Sequence, residues 1–513
     1  MALFCGDAVH TDRSPKGQGP ALNAGRKTAG DIAVTVTERL VSQVSQFAVF
    51  VLAARLLGPV EFGTFAIVSA CAILLLRLAE AGWAPFIMTR SDGDNTPYQV
   101  VMIAVLSGFA FAAVGFAGTQ AAKGFGLAPD LTALSMLFCL WIALATVFTA
   151  QKGVLIWLNR IKTAAIIEIT SELVGGAVTV ICLFQGAGVL SLVYGRLTYQ
   201  GTALILSFAI TRRIPAWGLP ATVRQELWTF SVQILSSRML INVRLHFITL
   251  ALGAFLGPIA VGYFRVAERL VGAAYELVAV PGQLLAWTLL RRARDAGQVE
   301  GRAARIEQQV ARHLKVLMAI GTPLFLWLSV MHGEIVAGLL GPEWQPAGVL
   351  VAILALCPIL MLPGILTEPL LSICGQTRRL PAFTAIIFAV SVGATCVAAP
   401  LGVMTLAWSQ LAVNSGIMLL TLHLFTRHAN IGLAGIAKAL RSTVLPLTLG
   451  LITLLVLRAS PIGVDWPQLV RAVAFGLMSG GVYVIALMLL DRPFWDQIAA
   501  AFRPDPVQQG TLS

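Results

Sequence analysis

Charge is scarce in this sequence: Asp, Glu, Lys and Arg make up only 12% of its 513 residues. So few polar side chains could not cover a globule of this size, which excludes a soluble protein. The seven cysteines (Cys5, Cys71, Cys139, Cys182, Cys357, Cys374 and Cys396) are scattered without a CxxC pair, and six lie in or at the ends of apolar runs. That distribution argues against a disulfide framework or a metal site. No GxxxxGK[ST] loop occurs, so no nucleotide hydrolysis is expected. There is no large loop on the poorly charged side of the chain and no Ser/His/Asp cluster at a membrane face, so no enzymatic activity is expected either. Residues 1–30 are polar and rich in Gly, without an apolar core and small-residue cleavage site, and no cleaved signal peptide is expected.

What the chain has instead is apolar length: 57% of its residues are hydrophobic, and the mean hydropathy is +0.83. Runs long enough to cross a hydrocarbon core of roughly 30 Å recur fourteen times. They lie near 40–57, 62–88, 99–120, 131–150, 163–184, 188–210, 228–252, 259–290, 314–332, 346–373, 381–399, 403–426, 442–458 and 469–490. The expected fold class is an all-α polytopic membrane protein.

Two of its turns are copies of each other. Leu56-Leu57-Gly58-Pro59-Val60-Glu61-Phe62-Gly63-Thr64-Phe65 recurs 199 residues later as Phe255-Leu256-Gly257-Pro258-Ile259-Ala260-Val261-Gly262-Tyr263-Phe264, five of the ten positions being identical. A Gly-Pro pair suits a sharp break between helices, because Pro removes a donor and Gly relaxes the backbone. Gly58, Pro59, Gly63, Gly257, Pro258 and Gly262 are therefore assigned as structural turns in a duplicated unit.

The net charge of +12 is distributed unevenly about the spans. Arg90, Lys152, Arg160, Lys162, Arg212, Arg213, Arg224, the cluster from Arg291 to Lys315, Arg378, Arg379, Arg427, Lys438, Arg441, Arg492 and Arg503 share one side with the basic N-terminal tail; only Lys123 and Arg458 fall on the other. By the positive-inside rule that side is cytoplasmic and holds both termini, consistent with an even number of spans. The charge is read as a topology signal, and no nucleic-acid partner is expected. Six spans separate the repeat turns, which places both on the extracytoplasmic side and makes the halves parallel repeats. The expected organisation is a polar tail (1–34), an N-lobe of spans 1–6 (35–210), a cytoplasmic linker (211–226), a C-lobe of spans 7–12 (227–426), two extra spans (427–490) and a cytoplasmic tail (491–513). The linker is expected to act as the hinge, and the polar segment 291–313 to form an amphipathic helix on the membrane surface.

Ionisable side chains inside a membrane need a partner or a wet cavity. Spans 1, 2, 7 and 8, which flank the repeat turns, carry Glu38 and Arg39; Arg77 and Glu80; Arg238, Arg244 and His246; and Arg265, Glu268, Arg269 and Glu276. On span 8, Arg265, Arg269 and Glu276 fall on one helical stripe with Glu268 beside it. Arg77 and Glu80 are spaced to pair along their own helix. Arginine outnumbers glutamate across the four spans, and surplus guanidinium groups suit a phosphate or carboxylate cargo. The candidate cavity set is thus Arg39, Arg77, Glu80, Arg238, Arg244, Arg265, Glu268, Arg269 and Glu276. Glu168 and Glu172 are read as end anchors of span 5 beside Lys162, with Arg196 able to close the charge pair. His246 is read as a hydrogen-bonded packing residue, and Asp92-Gly93-Asp94 as a solvated turn.

Four passages resemble the Wzx-type polysaccharide flippases of the multidrug/oligosaccharidyl-lipid/polysaccharide exporter superfamily. They are Ala54-Arg55-Leu56-Leu57-Gly58-Pro59 with Phe62-Gly63; Leu158-Asn159-Arg160 with Lys162; Gly186-Ala187-Gly188 with Leu190-Ser191-Leu192-Val193 and Gly195; and Leu340-Gly341-Pro342-Glu343-Trp344 with Ala347 and Gly375-Gln376-Thr377-Arg378-Arg379. The resemblance implies two six-helix lobes around a central cavity lined by spans 1, 2, 7 and 8. It also implies a cargo of undecaprenyl-diphosphate-linked sugar units crossing the bacterial inner membrane for exopolysaccharide, capsule or O-antigen synthesis. Expected partners are the lipid-linked oligosaccharide, the membrane, and the polysaccharide polymerase and export machinery. No cofactor is expected, and the drive is expected to come from an ion gradient (proton or sodium), the membrane potential or product consumption. Spans 13 and 14 resemble the pair that shelters the lipid tail in the related lipid II flippase, but the particular cavity motif of that protein is absent, which disfavours peptidoglycan precursor as cargo. A cation-coupled drug exporter of the same superfamily is the nearest alternative, although it would suit an acidic cavity better. A membrane enzyme or scaffold of polysaccharide assembly is the other.

Overall fold

The structure, a computed structural model, describes residues 21–91, 95–124, 129–296 and 301–495, with side chains from Ser42 onward except Ser237. Asp92-Gly93-Asp94 and Cys5 lie outside the described residues, and the side chains of Glu38 and Arg39 are likewise outside them. Sixteen α-helices follow one another without a strand among the described residues: α1 (Ala21–Glu80), α2 (Trp83–Met88), α3 (Thr96–Gly124), α4 (Pro129–Trp157), α5 (Ile161–Phe184), α6 (Leu190–Thr211), α7 (Ala221–Asp295), α8 (Arg302–Val330), α9 (His332–Leu340), α10 (Gln345–Leu354), α11 (Cys357–Met361), α12 (Thr367–Ile373), α13 (Leu380–Ala398), α14 (Val403–Ala429), α15 (Leu433–Ala459) and α16 (Gln468–Leu490).

Eleven of the helical stretches are long and apolar enough to span a membrane. Two of them, α1 and α7, fold back on themselves at a glycine with non-helical backbone, Gly58 (φ 69, ψ 176) and Gly257 (φ 79, ψ −177). Phe50 and Phe62 show the reversal directly: twelve residues apart, they would be separated by about 18 Å along a straight helix, yet their ring centroids are 5.6 Å apart. Each folded helix therefore supplies two limbs, and with α6 the limbs and helices make fourteen passes. The expected all-α polytopic fold is what the chain adopts.

Some spans differ from the sequence expectation. Span 2 is interrupted by Ala81 and Gly82, both at positive φ (37 and 82), before the short α2. Span 10 is not one helix but α10, α11, a 3₁₀ turn at Leu362–Leu366 and α12, because Pro358 and Pro363 each remove a backbone donor. The polar segment 291–313 is not a separate surface helix. Its first residues prolong α7 to Asp295, and its last open α8, where Ile306, Val310 and His313 are buried. Apolar residues at Ile306, Val310 and Leu314 recur on one helical face and are drawn into the core with Phe425 and Ile436.

Separate apolar clusters build the two halves. Phe65, Phe138, Trp141, Ile142 and Val193 are at the centre of one cluster in α1–α6, while Leu290, Leu314, Leu366 and Phe425 centre one in the second half. A shared cluster joins them where α1 meets α7, bringing Phe50, Ala54 and Ala66 against Leu252, Val261 and Phe264. The end of the molecule carrying Gly58 and Gly257 is called the turn end below, and the opposite end, with the arginine-rich loops, the basic end.

Candidate functional site

At the turn end the two halves touch through backbone. A Cβ built on Gly63 would lie 1.8 Å from the Pro258 carbonyl oxygen, and one on Gly262 would lie 2.3 Å from that of Pro59. Trp344 closes the same seam. Its indole Nε1 donates to the Ala54 carbonyl at 2.9 Å, and its ring meets Phe62 and Tyr263 edge-on at 5.8 and 6.0 Å. Arg55 donates from Nε and Nη2 to the Leu339 and Gly338 carbonyls at the end of α9, where terminal carbonyls lack helical partners.

Deeper between the halves, the intramembrane charges gather. The charges that act on His246 are those of Arg265, Arg77 and Arg196, and Arg196 in turn is placed against Arg265 and Glu172. These groups come from both limbs of α7, the second limb of α1, α6 and α5. Arg77 pairs with Glu80 at 2.5 Å, as their spacing predicts, and the other Glu80 oxygen accepts a 2.8 Å hydrogen bond from Thr149. Arg265 pairs with Glu268 at 2.6 Å. The Arg196 guanidinium stands over the rings of Phe65, Trp141 and Phe138 at 5.0, 5.5 and 5.6 Å. Three electron-rich faces thus hold it where no carboxylate pair would be needed to keep it in place.

Among the described residues, Arg238, Arg244 and Arg269 have no ion-pair partner, and Glu276 has a buried oxygen with no hydrogen bond. Counted from the two repeat glycines, Arg39 and Arg238 are equivalent positions, each nineteen residues before, and Arg77 and Glu276 are equivalent, each nineteen after. That is about 28 Å along each helix from its repeat glycine. Spans 2, 6, 7 and 8 together carry six arginines (77, 196, 238, 244, 265, 269) against three glutamates (80, 268, 276).

Several sequence readings need correction. His246 has no hydrogen bond among the described residues and stands among arginines. Glu168 is paired with Lys152 of α4, which the sequence reading did not include. Arg196 lies near Glu172, as the sequence reading allowed, and also near Arg265, to which nothing in its own span tied it.

The linker is seated on the first half. Ala216 N donates to the Tyr98 carbonyl at 3.1 Å, Gln99 Nε2 donates to the Gly218 carbonyl at 3.3 Å, and Arg213 stands 5.3 Å over the Tyr98 ring. The first turns of α7 follow it there: Leu227 is buried with Trp83, Phe86, Ile87 and Val154, and Phe230 meets Phe86 edge-on at 5.5 Å. Arg90 grips Glu226 through two hydrogen bonds of 2.7 and 3.2 Å. From 232 to 248 no described residue of α7 is buried. The packing boundary between the halves therefore lies within α7, beyond the linker at 211–226.

Behind the second half, α8, α15 and α16 enclose an apolar groove of about 300 Å³ lined by Leu324, Trp327, Leu451, Leu454, Leu477 and Tyr483, among others. Polar bonds fasten α16 to α8 beside it: Tyr483 Oη to the Ala319 carbonyl at 2.8 Å, Trp327 Nε1 to the Ala472 carbonyl at 2.8 Å, and, just past the end of α16, the Lys315–Asp491 ion pair.

Residues 51–349 match the family described as polysaccharide biosynthesis protein. No curated protein matches the sequence significantly. Among solved structures, the fold is similar to that of the lipid II flippase MurJ in an inward closed conformation, with a TM-score of 0.70 at 13% identity over 90% of this chain and 99% of that one. It is also similar to an inward-facing multidrug resistance MATE family transporter of the MOP superfamily, with a TM-score of 0.53 at 14% identity over 81% of this chain and 96% of that one.

Proposed function

The chain belongs to the polysaccharide biosynthesis protein family, and from that premise we propose that it carries undecaprenyl-diphosphate-linked oligosaccharide units across the bacterial cytoplasmic membrane by alternating access. The observation that carries this reading is the meeting of Arg77, Arg196, His246 and Arg265 from both halves. A diphosphate has two anionic groups that guanidinium forks can grip without change of protonation, and the arginine excess leaves several forks free to do so. The basic end faces the cytoplasm in this proposal, and lipid-linked sugar enters between the limbs of α1 and α7. The polyprenyl chain stays in lipid, with the groove of α8, α15 and α16 as an apolar berth for part of it. The carboxylate of Glu276, with one buried oxygen unpartnered, is the proposed place for a proton or sodium ion to couple to transport.

The test is complementation of a deletion strain with Arg265→Gln or Arg196→Gln at matched expression. Loss of polymer export with accumulation of lipid-linked repeat units on the cytoplasmic leaflet is the expected result. Unchanged polymer with a normal lipid-linked pool would overturn it, and altered drug susceptibility alone would favour the exporter alternative.

A further inference from the structure

Segment 212–220 lies outside every helix, between α6 and α7, and its backbone donors and acceptors are only partly satisfied by protein. Such a stretch cannot sit in hydrocarbon, where each unpaired backbone group is costly, so it lies at or beyond headgroup depth. Yet its outward side is apolar and aromatic. Ile214, Trp217 and Trp228 are 84%, 71% and 70% exposed, while Ala216, Leu219, Val223 and Phe230 turn inward onto the buried Leu227 cluster. Arg212, Arg213 and Arg224 are exposed beside them and have no ion-pair partner among the described residues. The nearest carboxylate in sequence, Glu226, is already engaged by Arg90.

We propose that 212–228 is an interfacial lipid-binding element that seats the first half of the protein on anionic phospholipid. Tryptophan side chains concentrate where an apolar ring meets a wet headgroup layer, and arginine forks suit the phosphodiester oxygens immediately above it. Charge complementarity selects anionic over zwitterionic lipid, because three arginines without carboxylate partners gain from a net negative surface. Continuity with α7, which is long and apolar enough to span a membrane, places the element at the bilayer and not on a remote soluble face. Its seat on Tyr98, Gln99 and Arg90 means that the lipid contact holds the first half and the opening turns of α7 as one body. This inference requires only that the chain spans a membrane and does not depend on the cargo.

The experiment compares thermal unfolding of the full chain in nanodiscs of phosphatidylcholine and of phosphatidylcholine mixed with phosphatidylglycerol. The wild type is expected to gain about 3 to 5 °C in the anionic bilayer. The triple variant Arg212→Gln/Arg213→Gln/Arg224→Gln loses that gain, the triple Arg→Lys variant at the same positions keeps most of it, and Arg378→Gln/Arg379→Gln/Arg427→Gln, on another basic loop, keeps it. Trp217→Ser/Trp228→Ser lowers stability in both bilayers. Should the glutamine triple variant fail to fold, Arg212→Gln and Arg224→Gln singly are each expected to lose part of the gain. A wild type equally stable in both bilayers overturns the proposal and turns the surface towards an acidic protein. A gain lost as much by the 378/379/427 variant also overturns it, since the effect would then be general basic charge.

Discussion

Gly63 lies against Pro258 so closely that a methyl group on its Cα would overlap the proline carbonyl, and Gly262 repeats the relationship with Pro59. The turn end is therefore shut by backbone meeting backbone, a seam with no room for even an alanine. Any state in which that end opens must separate these two pairs first.

Gly63→Ala or Gly262→Ala should accordingly hold the turn end ajar. Either variant is expected to reduce polymer export at least tenfold while the protein remains in the membrane. Thiol accessibility of a cysteine placed at Phe62 or Tyr263 is expected to rise; unchanged accessibility would show that the seam can tolerate the methyl group by local shift.

Trp344 supplies both packing and one hydrogen bond to that seam. Trp344→Phe keeps an edge for Phe62 and Tyr263 but removes the hydrogen bond to the Ala54 carbonyl, at a cost of about 1 kcal/mol. Trp344→Ala empties the site and is expected to cost about 3 to 5 kcal/mol. Thermal unfolding in one detergent ranks wild type above Phe above Ala, and a reversed order would mean that the ring is not central to the closed seam.

At the basic end, Arg90 holds Glu226, and with it the opening turns of α7, to the first half. The charge-reversed pair Arg90→Glu/Glu226→Arg should export better than either single change, because it restores the bidentate contact. Equal export by the reversed pair and by the single variants would show that the contact does not hold the two elements together.

Lys315 and Asp491 tie α16 to α8, with side chains only 13% and 10% exposed. Burial pushes the Asp491 carboxyl up, but bonds from Lys315 and Ser442 outweigh it and hold the group below its ordinary value. A depressed pKa in the folded state means stability that is present above the ordinary carboxylate pKa of about 4 and is lost as pH falls through the folded value. Asp491→Asn should therefore cost on the order of 3 kcal/mol at neutral pH, from the buried ammonium left behind. Below about pH 4 the difference between variant and wild type should shrink, and a gap that instead widened on acidification would contradict the assignment.

Sequence alone determined what is local. Fourteen apolar passes follow from run length and the thickness of a bilayer, and the positive φ at Gly58 and Gly257 follows from a duplicated Gly-Pro signal that only a glycine can satisfy without strain. The pairing of Arg77 with Glu80 and of Arg265 with Glu268 is also local, since three residues on a helix share a face. Tertiary structure decided which spans face each other. Arg196 and Glu172 had no periodic signal to tie them to Arg265, because contacts between spans depend on rotation of each helix about its own axis, which uniform hydropathy leaves undetermined. Arg90 and Glu226 are 136 residues apart, and only the fold shows that the opening turns of α7 belong with the first half. Gly58 and Gly257 likewise were legible as turns, whereas Gly63 and Gly262, read as turns too, are helical and form the surface on which the halves close. That role exists only when Pro59 and Pro258 are brought against them by packing across the whole molecule.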